Sequence, residues 1–163
     1  MIRGRFGNTT GRPYIEGRLV LLKFNLIANI SFLADTGANS TSIMQMDGMR
    51  MPIPYDQLKN PNQSYGVGGI DTEYSEDALI AFLDKSGTLY VYNVEVGILE
   101  KSPDIMTCPS LLGRDIMQRW SFLYDFPNGS VCATVNTADW RFDTNPNTMP
   151  YLSRPTDPAP VLP

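Results

Sequence analysis

Phe32-Leu33-Ala34-Asp35-Thr36-Gly37-Ala38-Asn39-Ser40-Thr41 is the stretch whose reading decides the fold. An apolar run delivers one carboxylate into a tight turn of Thr, Gly and Ala, and a small polar run follows. Asp35 therefore leaves a buried strand where the backbone must bend sharply. Gly37 is suited to φ angles closed to other residues and to close approach by another group. The Thr36 hydroxyl can tie the loop to a neighbour. A carboxylate held in this way suits acid–base work once its surroundings tune its proton affinity. Taken alone, the tripeptide reads first as a plain Asx-type turn ending a strand, since Asp, Thr and Gly are ordinary turn residues. Two stretches further along the chain decide between these readings.

Upstream of the turn, Val20, Leu22, Phe24, Leu26, Ala28, Ile30, Phe32 and Ala34 fall on alternate positions. That is the two-residue period of a half-buried strand. The run is too long for one strand, so it predicts a hairpin that turns within residues 25–29 and whose second arm ends at Asp35. Residues 1–13 are rich in Gly and Arg and are expected to form a flexible N-terminal arm.

Downstream, residues 42–44 read as a short strand, Asp47-Gly48 as a turn and residues 55–59 as one helical turn. Then comes Ser64-Tyr65-Gly66-Val67-Gly68-Gly69-Ile70. A Gly-rich loop can cradle phosphate if a helix follows and a Lys is at hand. Here Asp71, Glu73, Glu76 and Asp77 follow instead, and they repel phosphate. The stretch reads better as the tip of a β-hairpin able to move over a cleft. Residues 78–83 and 89–96 read as strands joined by the turn Asp84-Lys85-Ser86-Gly87.

Ser110-Leu111-Leu112-Gly113-Arg114-Asp115 leads into a short amphipathic helix over residues 116–120. Gly113 would let its strand pass close to another backbone segment, and Asp115 is expected to satisfy N–H groups at the helix start. A last hairpin crosses Pro127-Asn128-Gly129 between residues 121–125 and 130–134. Trp120 and Trp140 are expected as core or tail-docking aromatics. Residues 144–163 carry Pro146, Pro150, Pro155, Pro158, Pro160 and Pro163 and keep no apolar period, the mark of a disordered or extended tail.

The totals narrow the chemistry. The 163 residues are 42% hydrophobic and 18% charged, enough for one domain with a real core. A net charge of -4 argues against a nucleic-acid footprint. With no His in the chain, Ser-His-Asp and Cys-His catalysis are excluded. The two cysteines, Cys108 and Cys132, are not spaced as a zinc site, so no metal or cofactor is expected; a disulfide between them is open to the sequence, with buried free thiols the preferred reading. There is no apolar signal segment at the N-terminus. The most apolar stretch is interrupted by Lys23, Asn25, Asn29 and Ser31, too polar to span a membrane. The expected location is cytoplasmic, with no membrane partner.

Three features thus occur in order: an apolar strand into Asp35-Thr36-Gly37-Ala38, a Gly-rich tip at Gly66, Val67, Gly68 and Gly69, and Leu111-Leu112-Gly113-Arg114-Asp115 opening a helix. Together they resemble the retropepsin-like aspartic proteases, the retroviral type and its bacterial relatives. The resemblance implies a mostly β fold, a closed barrel of the acid-protease type with one short C-terminal helix, over a domain spanning residues 14–143. It implies that Asp35 is the catalytic aspartate. Thr36 would lock two such loops across a dimer axis, and Gly37 would line the substrate backbone. Ala38 and Asn39 would bind substrate together with the flap tip Gly66–Gly69, while Leu112, Gly113, Arg114 and Asp115 would be structural. Where retroviral members often carry an acid two positions after the Gly, this chain has Asn39, so a contact with Arg114 would be a hydrogen bond and not an ion pair.

The chemistry implied needs two carboxyl groups, one ionised and one protonated. This chain has one Asp-Thr-Gly and no internal repeat. A homodimer is therefore expected, acting on a peptide or protein substrate. The competing reading is a non-proteolytic dimeric interaction module of the same fold.

Overall fold

The alternation before Asp35 folds as two antiparallel strands, β2 (Pro13–Leu21) and β3 (Leu26–Ala34), paired from Tyr14 opposite Leu33 to Leu21 opposite Leu26. The chain reverses through a 3-10 turn at Leu22–Phe24 with Asn25 at φ 48°. This turn comes earlier than the expected 25–29, because one Asn that tolerates the left-handed region suffices to reverse the chain. It also resets the parity. Ile15, Gly17, Leu19 and Leu21 face inward on β2, whereas Leu26, Ile30 and Phe32 do so on β3. Val20 is half-buried and Leu22 exposed, although the uninterrupted alternation placed both inside.

The computed structural model describes residues 1–58, 60–66, 69–100 and 108–144, the side chains of residues 64–71 excepted. The remaining strands are β1 (Ile2–Phe6), β4 (Ser42–Ile43), β5 (Pro61–Gly66), β6 (Gly69–Leu83), β7 (Thr88–Leu99), β8 (Leu111–Leu112), β9 (Trp120–Asp125), β10 (Ser130–Val135) and β11 (Trp140–Asp143). Together with β2 and β3, four of these close a six-stranded ring in the order β2, β3, β8, β4, β7, β6. The ring closes because β6 pairs back onto β2, with Arg18 opposite Ala81 and Val20 opposite Leu79. The mostly β closed barrel expected from the sequence is therefore present.

Among the described residues two short α-helices accompany it, not one. Besides α2 (Arg114–Met117), a helix α1 (Gln45–Arg50) occupies the place expected of the Asp47-Gly48 turn. Ser110 explains the difference: its Oγ accepts the Met44 amide at 3.1 Å and donates to Asp47 Oδ2 at 2.7 Å. Gly48 serves packing, since a Cβ there would lie 2.4 Å from the Tyr55 hydroxyl oxygen.

The expected loose arm is also corrected. Residues 2–6 form β1, which bridges β10 and β2. Ile2 is fully buried, and Gly4 sits so close to β2 that a Cβ would lie 2.5 Å from the Tyr14 carbonyl oxygen. Gly has low strand propensity and residues 2–6 hold only two large apolar side chains, so the sequence hid a strand whose order comes from its neighbours.

Inside the barrel Phe82 packs edge-on against Trp120, with ring centroids 4.9 Å apart, and against Tyr92 at 5.9 Å. The Trp120 indole N–H donates to the Tyr92 hydroxyl at 2.6 Å. Each large apolar side chain buried this way contributes about 1.5–3 kcal/mol. Trp120 is the core aromatic expected, whereas Trp140 lies exposed on β11, a strand not foreseen, which pairs with β7. Cys108 and Cys132 are both free. Among the described residues no helix is long and apolar enough to cross a membrane.

Candidate active site

Asp35 lies where two strands part around a third. β3 runs parallel to β8 on one side, with Ala34 opposite Leu112. On the other side β4 runs antiparallel to β8, with Ser42 opposite Leu111, and parallel to β7. Residues 35–41 must therefore arch over the end of β8. Gly113 is the residue beneath the arch. A Cβ on it would lie 2.3 Å from the Ser40 carbonyl carbon and 2.8 Å from the Thr41 nitrogen, which is backbone and cannot swing aside. Only Gly permits this crossing.

The arch is tied down from both ends. The Asp35 amide donates to the Leu112 carbonyl at 3.1 Å, and the Leu33 amide to that of Ser110 at 2.8 Å. The Arg114 amide donates to the Ala38 carbonyl at 3.0 Å and the Asp115 amide to that of Asn39 at 3.2 Å. Within the turn the Ala38 amide returns to the Asp35 carbonyl at 3.2 Å. The Gly37 amide donates to Asp35 Oδ1 at 2.8 Å, fixing the carboxylate plane. Gly37 does not have a positive φ; the residues that do include Gly11, Gly87 and Gly129. Its smallness matters instead, because a Cβ would crowd Asp35 Oδ1 at 3.1 Å.

Asp35 is half-buried, Thr36, Gly37 and Asn39 are exposed and Ala38 is half-buried. This pattern presents a carboxylate and small backbone-rich residues on one open surface. Arg114 donates through its guanidinium to Asn39 Oδ1, the neutral contact anticipated at this pair. Asp115, the second residue of α2 behind a cap position held by Gly113, accepts the Ile116 amide and so satisfies one N–H at the helix start, as expected, and it also reaches Thr41, which the sequence did not reveal. Cys108 was missed as a neighbour. Burial pushes its thiol up, Arg12 pulls it down and the Asp35 carboxylate pushes it up, so the thiol sits within the fields of both Arg12 and Asp35.

β5 and β6 pair out to Gly66 opposite Gly69, giving a long hairpin, while Val67 and Gly68 lie outside the described residues. Among the described residues no group of three or more His, Cys, Asp or Glu could hold a metal ion.

The family model for the retroviral aspartyl protease matches residues 11–123, most of the chain and all of the arch. The chain belongs to that family. A retropepsin-like aspartic protease from Rickettsia conorii has a similar structure, with TM-score 0.52 and 19% identity over 80% of this chain and 95% of that one. The EIAV protease complexed with the inhibitor HBY-793 matches with TM-score 0.40 and 20% identity over 69% of this chain and 90% of that one. A comparison with curated proteins found no match. The retropepsin fold accounts for the strand crossing beneath Asp35, and family membership makes a peptidase of the aspartic type the reading of the site.

Proposed function

We propose that this chain is a homodimeric aspartic endopeptidase in which Asp35 of each copy supplies one of the two reacting carboxyl groups. The observation that carries this reading is the placement of Asp35. It stands half-exposed at the near end of the arch, where β3 gives way to it, oriented by the Gly37 amide at 2.8 Å. The other acids of the crossing are engaged: Asp115 holds Thr41 and Asp47 holds Ser110. A second reacting carboxyl is then best supplied by a second copy across a two-fold axis.

Two carboxyl groups about 3 Å apart share one proton. The ionised one takes a proton from water, whose oxygen attacks the peptide carbonyl carbon, while the protonated one donates to the carbonyl oxygen. The resulting gem-diol collapses as a proton passes to the amide nitrogen and the C–N bond breaks. The water is thereby added across the peptide bond with no acyl-enzyme. Thr36 would lock the paired loops at the axis. Gly37, Ala38 and Asn39 would line the substrate backbone, and the β5–β6 hairpin with its tip Gly66–Gly69 would close over an extended peptide. Leu112, Gly113, Arg114 and Asp115 hold the arch in place.

Replacing Asp35 by Asn tests the assignment. Cleavage of an unfolded protein substrate is expected to vanish while sedimentation still reports a dimer. Cleavage retained by the Asn variant, or a dimeric wild type that cuts nothing from acidic to neutral pH, would overturn it and favour an interaction module.

A further inference from the structure

The outer face of the barrel is apolar where β11 adds to β7. Directly opposed residues of paired strands share a face. Leu83, Leu89 and Phe142 form one row across β6, β7 and β11, and Ala81, Val91 and Trp140 form the next. Leu83 is 58% exposed, Phe142 48% and Trp140 46%. The opposite face of β6 and β7 is the core side, carrying Phe82 and Tyr92, whereas β11 is exposed on both faces. Val91 is buried within these rows and Ala81 and Leu89 are half-buried, so the exposed apolar surface is that of Leu83, Phe142 and Trp140, and exposed apolar surface of this kind marks a site that something covers.

We infer that this face is the docking site of the chain's own C-terminal segment, residues 145–163. Three observations select that occupant. The chain leaves β11 beside the patch, because the Thr144 amide and hydroxyl both bond the Gly87 carbonyl at the turn between β6 and β7. Nineteen residues follow Thr144. At about 3.1 Å per residue in an extended Pro-rich conformation, the first few suffice to recross three strands spaced about 4.8 Å apart. The segment also has matching chemistry. Its prolines, with Met149, Tyr151 and Leu152, present an apolar ribbon of little conformational entropy, and exposed aromatics such as Trp140 and Phe142 are the surfaces on which such ribbons dock. The tether gives the segment an effective concentration in the millimolar range, ahead of any free competitor.

The test uses the full chain carrying Asp35→Asn, which removes self-cutting whatever the enzyme's activity. Chymotrypsin cleavage after Tyr151 is followed by mass spectrometry and compared with cleavage of a synthetic peptide of residues 145–163. A docked segment is cut at least about ten-fold more slowly than the free peptide, independently of protein concentration. Leu83→Asp and, separately, Phe142→Ser raise the rate to that of the peptide, while Leu123→Asp, at an exposed site on β9, leaves it slow. Cutting of the unaltered segment at the free-peptide rate overturns the inference. So does protection that survives both patch variants, and so does protection lost on dilution, which would assign the face to a second copy.

Discussion

Asp115 reaches across the chain crossing to Thr41, accepting its amide proton at 2.9 Å and its hydroxyl proton at 2.8 Å. Thr41 is fully buried, and its hydroxyl oxygen in turn accepts the Gly113 amide at 3.1 Å. One side chain thus pins the far end of the arch that carries Asp35, and it does so through the residue next to the Gly113 crossing. Asp115→Ala removes a charged acceptor and strands two donors, so it is expected to cost about 2–3 kcal/mol of stability. Asp115→Asn, which keeps an acceptor oxygen, should cost less. Urea unfolding midpoints measure both, and an unchanged midpoint for the Ala variant would contradict the role given to this pair.

Gly113→Ala should be worse, at about 3 kcal/mol or more, because the new methyl meets backbone and the arch must lift. Gly97 offers a contrast. The atoms nearest a Cβ there belong to the Glu73 side chain, which can swing away at the loss of its bond from Ser42. Gly97→Ala is therefore expected to cost about 1 kcal/mol. Denaturant titration of the two variants side by side checks the order, and equal losses would show that the crossing is less rigid than the geometry requires.

The acid limit of stability should be set partly by Asp84. Burial alone would raise its carboxyl, but the Ser86 hydroxyl, the N-terminal ammonium and the amides of Thr88 and Ser86 outweigh burial and hold it well below the usual range. The folded state thus binds this proton less readily than the unfolded chain does. The contribution is complete above the ordinary carboxyl range near about 4, and it is lost as pH falls through the folded value. Asp84→Asn should lower the unfolding free energy at pH 7 by about 2–3 kcal/mol, read by denaturant titration, and flatten its fall toward acid. A variant with the wild-type acid slope would show that other carboxyls set the limit.

Much of this fold was legible in the sequence, for reasons tied to particular residues. The Asp35 turn and Leu112-Gly113 announced themselves because each needs small residues at fixed places next to strong apolar runs. β1 did not, because its order comes from β2 and β10 and not from its own propensity. The hairpin parity was hidden because Leu22–Phe24 kept an apolar period through a turn. α1 was misread since Gly48 answers to Tyr55 packing, a contact seven residues away. The Asp115–Thr41 bond spans 74 positions, and no local pattern announces it.

Asn39→Asp converts the neutral contact with Arg114 into an ion pair on an exposed surface. Solvent screening keeps the gain within about 1 kcal/mol, and it should shrink with added salt. Thermal unfolding at low and high ionic strength would detect it, and a gain insensitive to salt would argue against an electrostatic origin.

The pairing of Asp35 with its counterpart in a second copy is tested most directly by titrating the Asp35→Asn variant into wild type at fixed total concentration, above the dimer dissociation range, and measuring peptide cleavage. If each active unit needs one Asp35 from each copy, mixed dimers are inactive and activity falls as the square of the wild-type fraction. A linear fall would mean that one chain carries out the reaction alone, and it would contradict the account.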